Sequence, residues 1–186
     1  MGHDGSLAIA YSLSQQRSLI QYLHLRSVTI DNEDIELLAA SLQDYMYLLH
    51  LDLSHNRIEG QRGGAAIASI ISRVTTKENG RTALKHLNLA YNNLGTSGFL
   101  AMNEEVLLVN GNIIETLNVS YNDITKIRFP GGNEPSTDKF YCVTKLILDG
   151  NVFKLTTYKS LSVLLARCSF MVHISLKKCQ LEDLGL

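Results

Sequence analysis

The stretch LKHLNLAYNNLGTSG, Leu84 to Gly98, decides the fold. Within it Leu84, Leu87, Leu89, Asn92 and Leu94 stand at offsets 0, 3, 5, 8 and 10, the spacing L-x-x-L-x-L-x-x-N-x-L. Leu87 and Leu89 are two apart, so a short strand carries both on one inward face. Asn92 falls where that strand must turn, and its amide can bond backbone groups that a turn leaves unpaired. Leu94 returns to the interior before Gly95 releases the chain toward a helix.

Working outward, the same letters recur in register. Leu48, Leu51, Leu53, Asn56 and Ile58 form one copy, and Ile114, Leu117, Val119, Asn122 and Ile124 another. Val143, Leu146, Leu148, Asn151 and Phe153 form a further copy, with a bulky aromatic at the last site. Two flanking copies depart at the turn: the one from Ile20 carries Val28, and the one from Met171 carries Cys179. The units start near Ile20, Leu48, Leu84, Ile114, Val143 and Met171, and residues 1–186 are expected to form one repeat domain with a partial unit at each end. No single unit can bury its own leucine stripe, so neighbours must stack.

Between the strand motifs the period changes to helical. Leu7, Ala10, Tyr11 and Leu13 suit a helix over Ser6 to Gln16, and Ile35, Leu38, Ala39 and Leu42 line one face of another. Asp31 or Asp34 is placed to cap the second. Helices are expected at Ala65 to Val74, with Ile67, Ile70 and Ile71 inward, and at Tyr158 to Arg167, with Leu161, Leu164 and Leu165 inward. The third unit is apolar at Phe99, Leu100, Met102, Val106 and Leu107. TTKENGRT, Thr75 to Thr82, reads as an enlarged loop. The fourth unit holds both prolines and a Gly-Gly pair, so residues 125–140 are expected to lack a full helix.

Units of 28 to 30 residues, the second enlarged to 36 by its loop, with a helix in most of them, resemble the ribonuclease-inhibitor-like class of leucine-rich repeats. NNLGTSGFLAM is similar to the N-x-L-G-x-x-G-A-x-x-L form common in that class. The resemblance implies a right-handed, curved α/β solenoid with parallel strands on its concave face and helices on its convex face. It implies that cysteine can replace the turn asparagine and valine cannot, so the first turn is expected to differ. About the partner it implies little, because the class includes enzyme inhibitors, GTPase activators, actin-capping proteins and innate immune sensors.

Composition narrows the function. The 17 cationic and 18 acidic residues leave a formal net charge of −1, without a global field for nucleic acid or an anionic membrane. Three cysteines, Cys142, Cys168 and Cys179, lack metal spacing and read as free thiols in a reducing compartment, hence a cytoplasmic location. No apolar run approaches the ~20 residues that a bilayer requires. The opening Met-Gly-His-Asp-Gly-Ser fits an acylation pattern, but Asp4 and the lack of a basic cluster argue against an anchor. The sequon at Asn118 lies on an expected strand, where a glycan is not expected.

No phosphate loop, nucleophile elbow or metal-protease motif is present, so no catalytic residue, metal site or cofactor is assigned. The register instead says which side chains leave the sheet outward, at offsets 2, 4 and 6. Offset 6 includes Ser54, Ala90 and Ser120. The expected contact surface comprises Tyr22, His24, Arg26, His50, Asp52, His55, His86, Asn88, Tyr91, Asn118, Tyr121, Lys145, Asp149, His173, Lys177 and Lys178. Asn56, Asn92, Asn122, Asn151 and Cys179 are expected to form a buried turn ladder. His24, His50 and His86 are close enough in register to raise a zinc site, against the plainer reading of hydrogen-bonding surface residues. Tyr91 and Tyr121 suit an interface anchor, since anchors are enriched in tyrosine. Lys126-Ile127-Arg128-Phe129 matches a short phosphatase-docking pattern, but Ile127 continues the apolar spacing and is expected in the core.

These readings favour a non-enzymatic protein–protein interaction module, a scaffold or regulatory domain, binding a protein on its concave face. No nucleic acid or membrane partner is expected, and the chain is expected to be monomeric or part of a longer one. The alternatives are a GTPase activator of the Ran-activator type, which would need an acidic tail, and a fragment of a larger innate-immune-type sensor.

Overall fold

A computed structural model describes residues 3–15, 19–42, 47–74, 84–107, 114–127, 143–168 and 170–182. Each copy of the motif folds as a three-residue strand at offsets 2 to 4: β1 (Tyr22–His24), β2 (His50–Asp52), β3 (His86–Asn88), β4 (Thr116–Asn118), β5 (Lys145–Ile147) and, after a further strand and helix, β7 (His173–Ser175). All six pair in parallel in the order β1-β2-β3-β4-β5-β7, forming one open sheet. The register follows the letters, with Leu23, Leu51, Leu87, Leu117, Leu146 and Ile174 in one row. Beyond the strands the ladder continues into the turns. The N–H groups of Ser27, His55, Tyr91, Tyr121 and Gly150 each donate to the offset-6 carbonyl of the next copy at 2.8–3.0 Å.

Helices follow the turns: α1 (His3–Gln15), α2 (Asn32–Ser41), α3 (Gly60–Arg73), α4 (Gly95–Leu107) and α5 (Leu155–Arg167). The result is an α/β solenoid. In the four central copies every residue at offsets 0, 3, 5 and 10 is at most 1% exposed. Ile20, Leu23, Met171 and Ile174 of the end copies are only half-buried, since each end copy has a neighbour on one side. The helices close the core with Ile35, Leu38 and Leu42, with Ile67, Ile70 and Ile71, with Phe99 and Met102, and with Leu161 and Leu164.

Several local expectations change. Leu165 is exposed, being one residue and therefore about 100° round the helix from buried Leu164. In α1, Ala10 and Leu13 are buried, while Leu7 and Tyr11 are exposed. Helix α3 starts at Gly60 rather than Ala65, and α5 at Leu155 rather than Tyr158. Asp31 caps α2, accepting from the N–H groups of Glu33 and Asp34, while Asp34 accepts from the Asp31 N–H, a reciprocal capping box. Glu59 has no side-chain cap bond to α3. Instead Asn32, one copy back, accepts from the Glu59 N–H at 3.0 Å and donates to its carbonyl at 3.1 Å.

A second, two-stranded parallel sheet, β6 (Val152–Lys154) with β8 (Gln180–Glu182), joins the last two copies at offsets 9 to 11. In the fourth unit residues 123–127 are neither helix nor strand. They are held by hydroxyls of the adjacent copies. Thr96 Oγ1 accepts from the N–H groups of Thr125 and Lys126, and Thr157 Oγ1 donates to the Thr125 carbonyl and accepts from Ile127 N–H. Ile127 is buried, as its spacing requires, which removes it from any docking segment. Residues 128–140 of that unit, the enlarged loop at 75–82, and Cys142 lie outside the described residues.

Candidate functional site, an aromatic strand face

The turn at the end of each strand sets the geometry of the site. The residue at offset 7 has a left-handed backbone in every copy: Ser27, His55, Tyr91, Tyr121, Gly150 and Lys178, with φ between 53° and 68°. This includes the first copy, so Val28 does not give its turn a different start. Thr29 is also left-handed, but so is Asp123 in a copy that has its asparagine. The valine is tolerated because Asn56, from the next copy, accepts from the N–H groups of both Val28 and Ile30.

The asparagines form a continuous ladder. Asn92 Oδ1 accepts from Ile58 N–H at 3.1 Å, and its Nδ2 donates to the carbonyls of Leu53 and Leu89 at 3.0 Å each. Asn122 takes Leu94 N–H and gives to the Leu89 carbonyl. Asn151 takes Asn122 and Ile124 N–H and gives to the carbonyls of Val119 and Leu148. Cys179 keeps the donor half of the pattern, its thiol pointing to the Leu148 carbonyl at 3.3 Å. Burial pushes that thiol up from its ordinary value, so it stays an S–H donor.

Above this ladder stand two rows of stacked rings. One runs along offset 2: Tyr22 on His50, centroids 4.5 Å apart, and His50 on His86, 4.0 Å apart, with planes within 22°. The other runs along offset 7: His55 on Tyr91 at 4.2 Å and Tyr91 on Tyr121 at 4.4 Å, with planes within 16°. The second row closes on Gly150, where a Cβ would lie 2.3 Å from the Tyr121 ring. Strand spacing of about 4.8 Å brings rings in adjacent copies to stacking distance without further adjustment. Between the strands lies a shallow depression of about 210 Å³, walled by His24, His50, Asp52, His86, Asn88, Asn118 and Ile147.

All sixteen residues expected on this surface are exposed or half-exposed. Offset 6 differs in the centre: Ser54, Ala90 and Ser120 are buried, because the strand ends at offset 4 and the alternation ends with it. Only Arg26, Asp149 and Lys177 reach the surface from that offset. The offset-4 residues are partly committed to structure, since the Oδ1 atoms of Asp52, Asn88 and Asn118 accept from the N–H two residues on. His24 is in register with Asp52, diagonal to His50, so the three histidines do not form one row. The His50 and His86 rings face each other, which turns their nitrogens toward the rims. Among the described residues no group of three or more His, Cys, Asp or Glu is placed to hold a metal ion. Burial lowers the His50 pKa from its ordinary value, helped by His86 and His24 and opposed by Glu115, so the His50 ring is held neutral at pH 7. Neither Cys168 nor Cys179 is in a disulfide. No helix among the described residues is long and apolar enough to cross a membrane.

The left-handed backbone at offset 7 was not among the expectations drawn from the sequence. The signal was present in alignment rather than in composition: the column Ser, His, Tyr, Tyr, Gly, Lys always precedes the turn asparagine or its substitute. A family model described as Leucine Rich repeat matches residues 46–68 and 82–102, the second and third copies. No curated protein matches the chain. Domains of this family generally mediate protein–protein interaction. With six strands in the register of the motif, an asparagine ladder joining their turns, and the family model seated on the two most regular copies, the chain is a leucine-rich repeat protein.

Proposed function

We propose that this chain is a non-enzymatic, cytoplasmic interaction domain that meets a protein partner with its strand face, centred on Tyr91 and Tyr121. The observation that carries this reading is the aromatic row at left-handed positions. A side chain there costs about 1–2 kcal/mol, and glycine or asparagine would avoid most of it. Each stacked pair returns about 0.5–1.5 kcal/mol. Two pairs against three strained residues leave a deficit, so stability alone does not account for His55, Tyr91 and Tyr121. Rigid, half-exposed tyrosines are the usual anchors of protein interfaces.

The test replaces the anchors without disturbing the turn. Tyr91→Asn with Tyr121→Asn keeps a side chain at ease in this backbone, and is expected to weaken partner binding by about 2–4 kcal/mol with little change in melting temperature. Glu36→Ala with Lys159→Ala, on the helical side, is the control. Glu36 is in an exposed pair with Arg62, whose loss costs little. Quantitative affinity capture followed by titration of the captured partner compares the two. Binding lost with the helical pair and kept with the asparagines would move the contact to the opposite face.

A further inference from the structure

Charge is not evenly spread over this molecule. At offsets 2 to 7 of the six copies stand four cations, Arg26, Lys145, Lys177 and Lys178, and two acids, Asp52 and Asp149, in a chain that carries −1 as a whole. Both acids are engaged by backbone. Asp52 accepts from the N–H of Ser54 at 2.9 Å, and Asp149 from the N–H of Lys177 at 2.8 Å. Lys145 is half-exposed; Arg26, Lys177 and Lys178 are exposed and, among the described residues, form no ion pair with a carboxylate. Arg26 reaches His55 Nε2 at 3.1 Å, at one end of the tyrosine row. Lys177 and Lys178 stand beyond Gly150, at the other end. Five strand spacings separate Arg26 from Lys177, about 24 Å, which about seven residues of extended chain would span.

We infer that the strand face recognises an acidic, extended polypeptide segment, laid across the strands along the tyrosine row. Its carboxylates meet Arg26 at one end and Lys177 and Lys178 at the other. Its uncharged middle lies over the edges of Tyr91 and Tyr121, whose hydroxyls are placed to donate to backbone carbonyls. This rests on the reading of the strand face as the contact surface and adds the chemistry of what it contacts. A single-stranded nucleic acid is the other polyanion to weigh. Its bases require open ring faces, and here the faces are closed against each other at 4.2 and 4.4 Å, leaving only edges.

The experiment uses the full chain and fluorescence anisotropy with three labelled probes. These are a nonapeptide library with paired glutamates at both ends and an uncharged centre, its lysine-ended counterpart, and oligothymidylate of the same length. The glutamate-ended library is expected to bind at least about tenfold tighter than the other two, and to weaken about tenfold on Arg26→Glu or on Lys177→Glu with Lys178→Glu. Added salt should weaken it as well. Equal binding of both libraries, tighter oligothymidylate, no detectable binding, or indifference to the charge reversals would each overturn the inference. A captured partner that depends on Tyr91 and Tyr121 but ignores the charge reversals removes only the acidic specificity. One that ignores the tyrosines as well removes the strand-face reading itself.

Discussion

At the scale of single residues, the turn asparagine serves two copies rather than one. Asn92 accepts from an amide of the second copy and donates to a carbonyl of the second and of the third. Its letter marks the site, but the direction of service depends on which strand lies before it, which only the sheet order supplies. That is why Val28 is harmless: Asn56, from the following copy, already caps its turn by accepting from the Val28 and Ile30 N–H groups. Asn92→Ala strands several buried backbone groups at about 1–3 kcal/mol each, and a net loss of about 3 kcal/mol is expected in urea unfolding. Val28→Asn should change stability by less than about 0.5 kcal/mol. If Val28→Asn gains what Asn92→Ala loses, the two-copy account is wrong.

At the scale of elements, strands were legible and helix starts were not. The strand letters are hydrophobic positions two apart, a pattern that stacking reinforces in every copy. The start of α3, in contrast, reads GQRGG, whose glycines disfavour a helix on propensity alone. Packing decides otherwise. A Cβ on Gly64 would lie 2.1 Å from the Gly98 carbonyl oxygen, and one on Gly98 2.6 Å from that of Gly60, so α3 and α4 meet backbone to backbone. The β6–β8 pair was equally invisible, since its residues carry no alternation that a single copy would display. The contact predicts an inverted outcome for an ordinarily favourable change. Glycine to alanine inside a helix usually stabilises by about 0.5–1 kcal/mol. Gly98→Ala is instead expected to cost about 1–3 kcal/mol by overpacking. Gly95→Ala, with open space around its Cβ but φ of +59°, should lose about 1–2 kcal/mol from backbone strain alone. A stabilised Gly98→Ala in urea unfolding would rule out the close approach of the two helices.

At the scale of the whole molecule, two histidines on opposite faces give the stability curve two limbs of opposite sign. On the strand face, His50 is lowered from its ordinary 6.5 chiefly by burial, with His86 and His24 adding repulsion. The folded state therefore binds fewer protons than the unfolded chain, and stability rises with pH across that gap. The contribution of His50 is complete above about 6.5 and is lost as pH falls below it. On the helical side, His3 in α1 bonds through Nδ1 to Asp34 of α2 at 2.9 Å, and this bond raises its pKa above 6.5 against a smaller opposing effect of burial. The sign reverses. The His3–Asp34 contribution is complete below about 6.5 and is lost as pH rises through the higher folded value. Melting temperature is thus expected to fall on both sides of neutrality, for different reasons on the two faces of the molecule. His50→Gln should flatten the acid limb, because a neutral amide in the stack has nothing to protonate. His3→Gln should flatten the alkaline limb and leave the acid one alone. Neither histidine is among the causes of the other's shift, so their effects should add. Melting curves of the parent, both single variants and the double variant between pH 5 and 9 make the comparison. If His50→Gln flattens the alkaline limb, or both variants act on the same one, neither the stacked-ring account of His50 nor the His3–Asp34 account survives as stated.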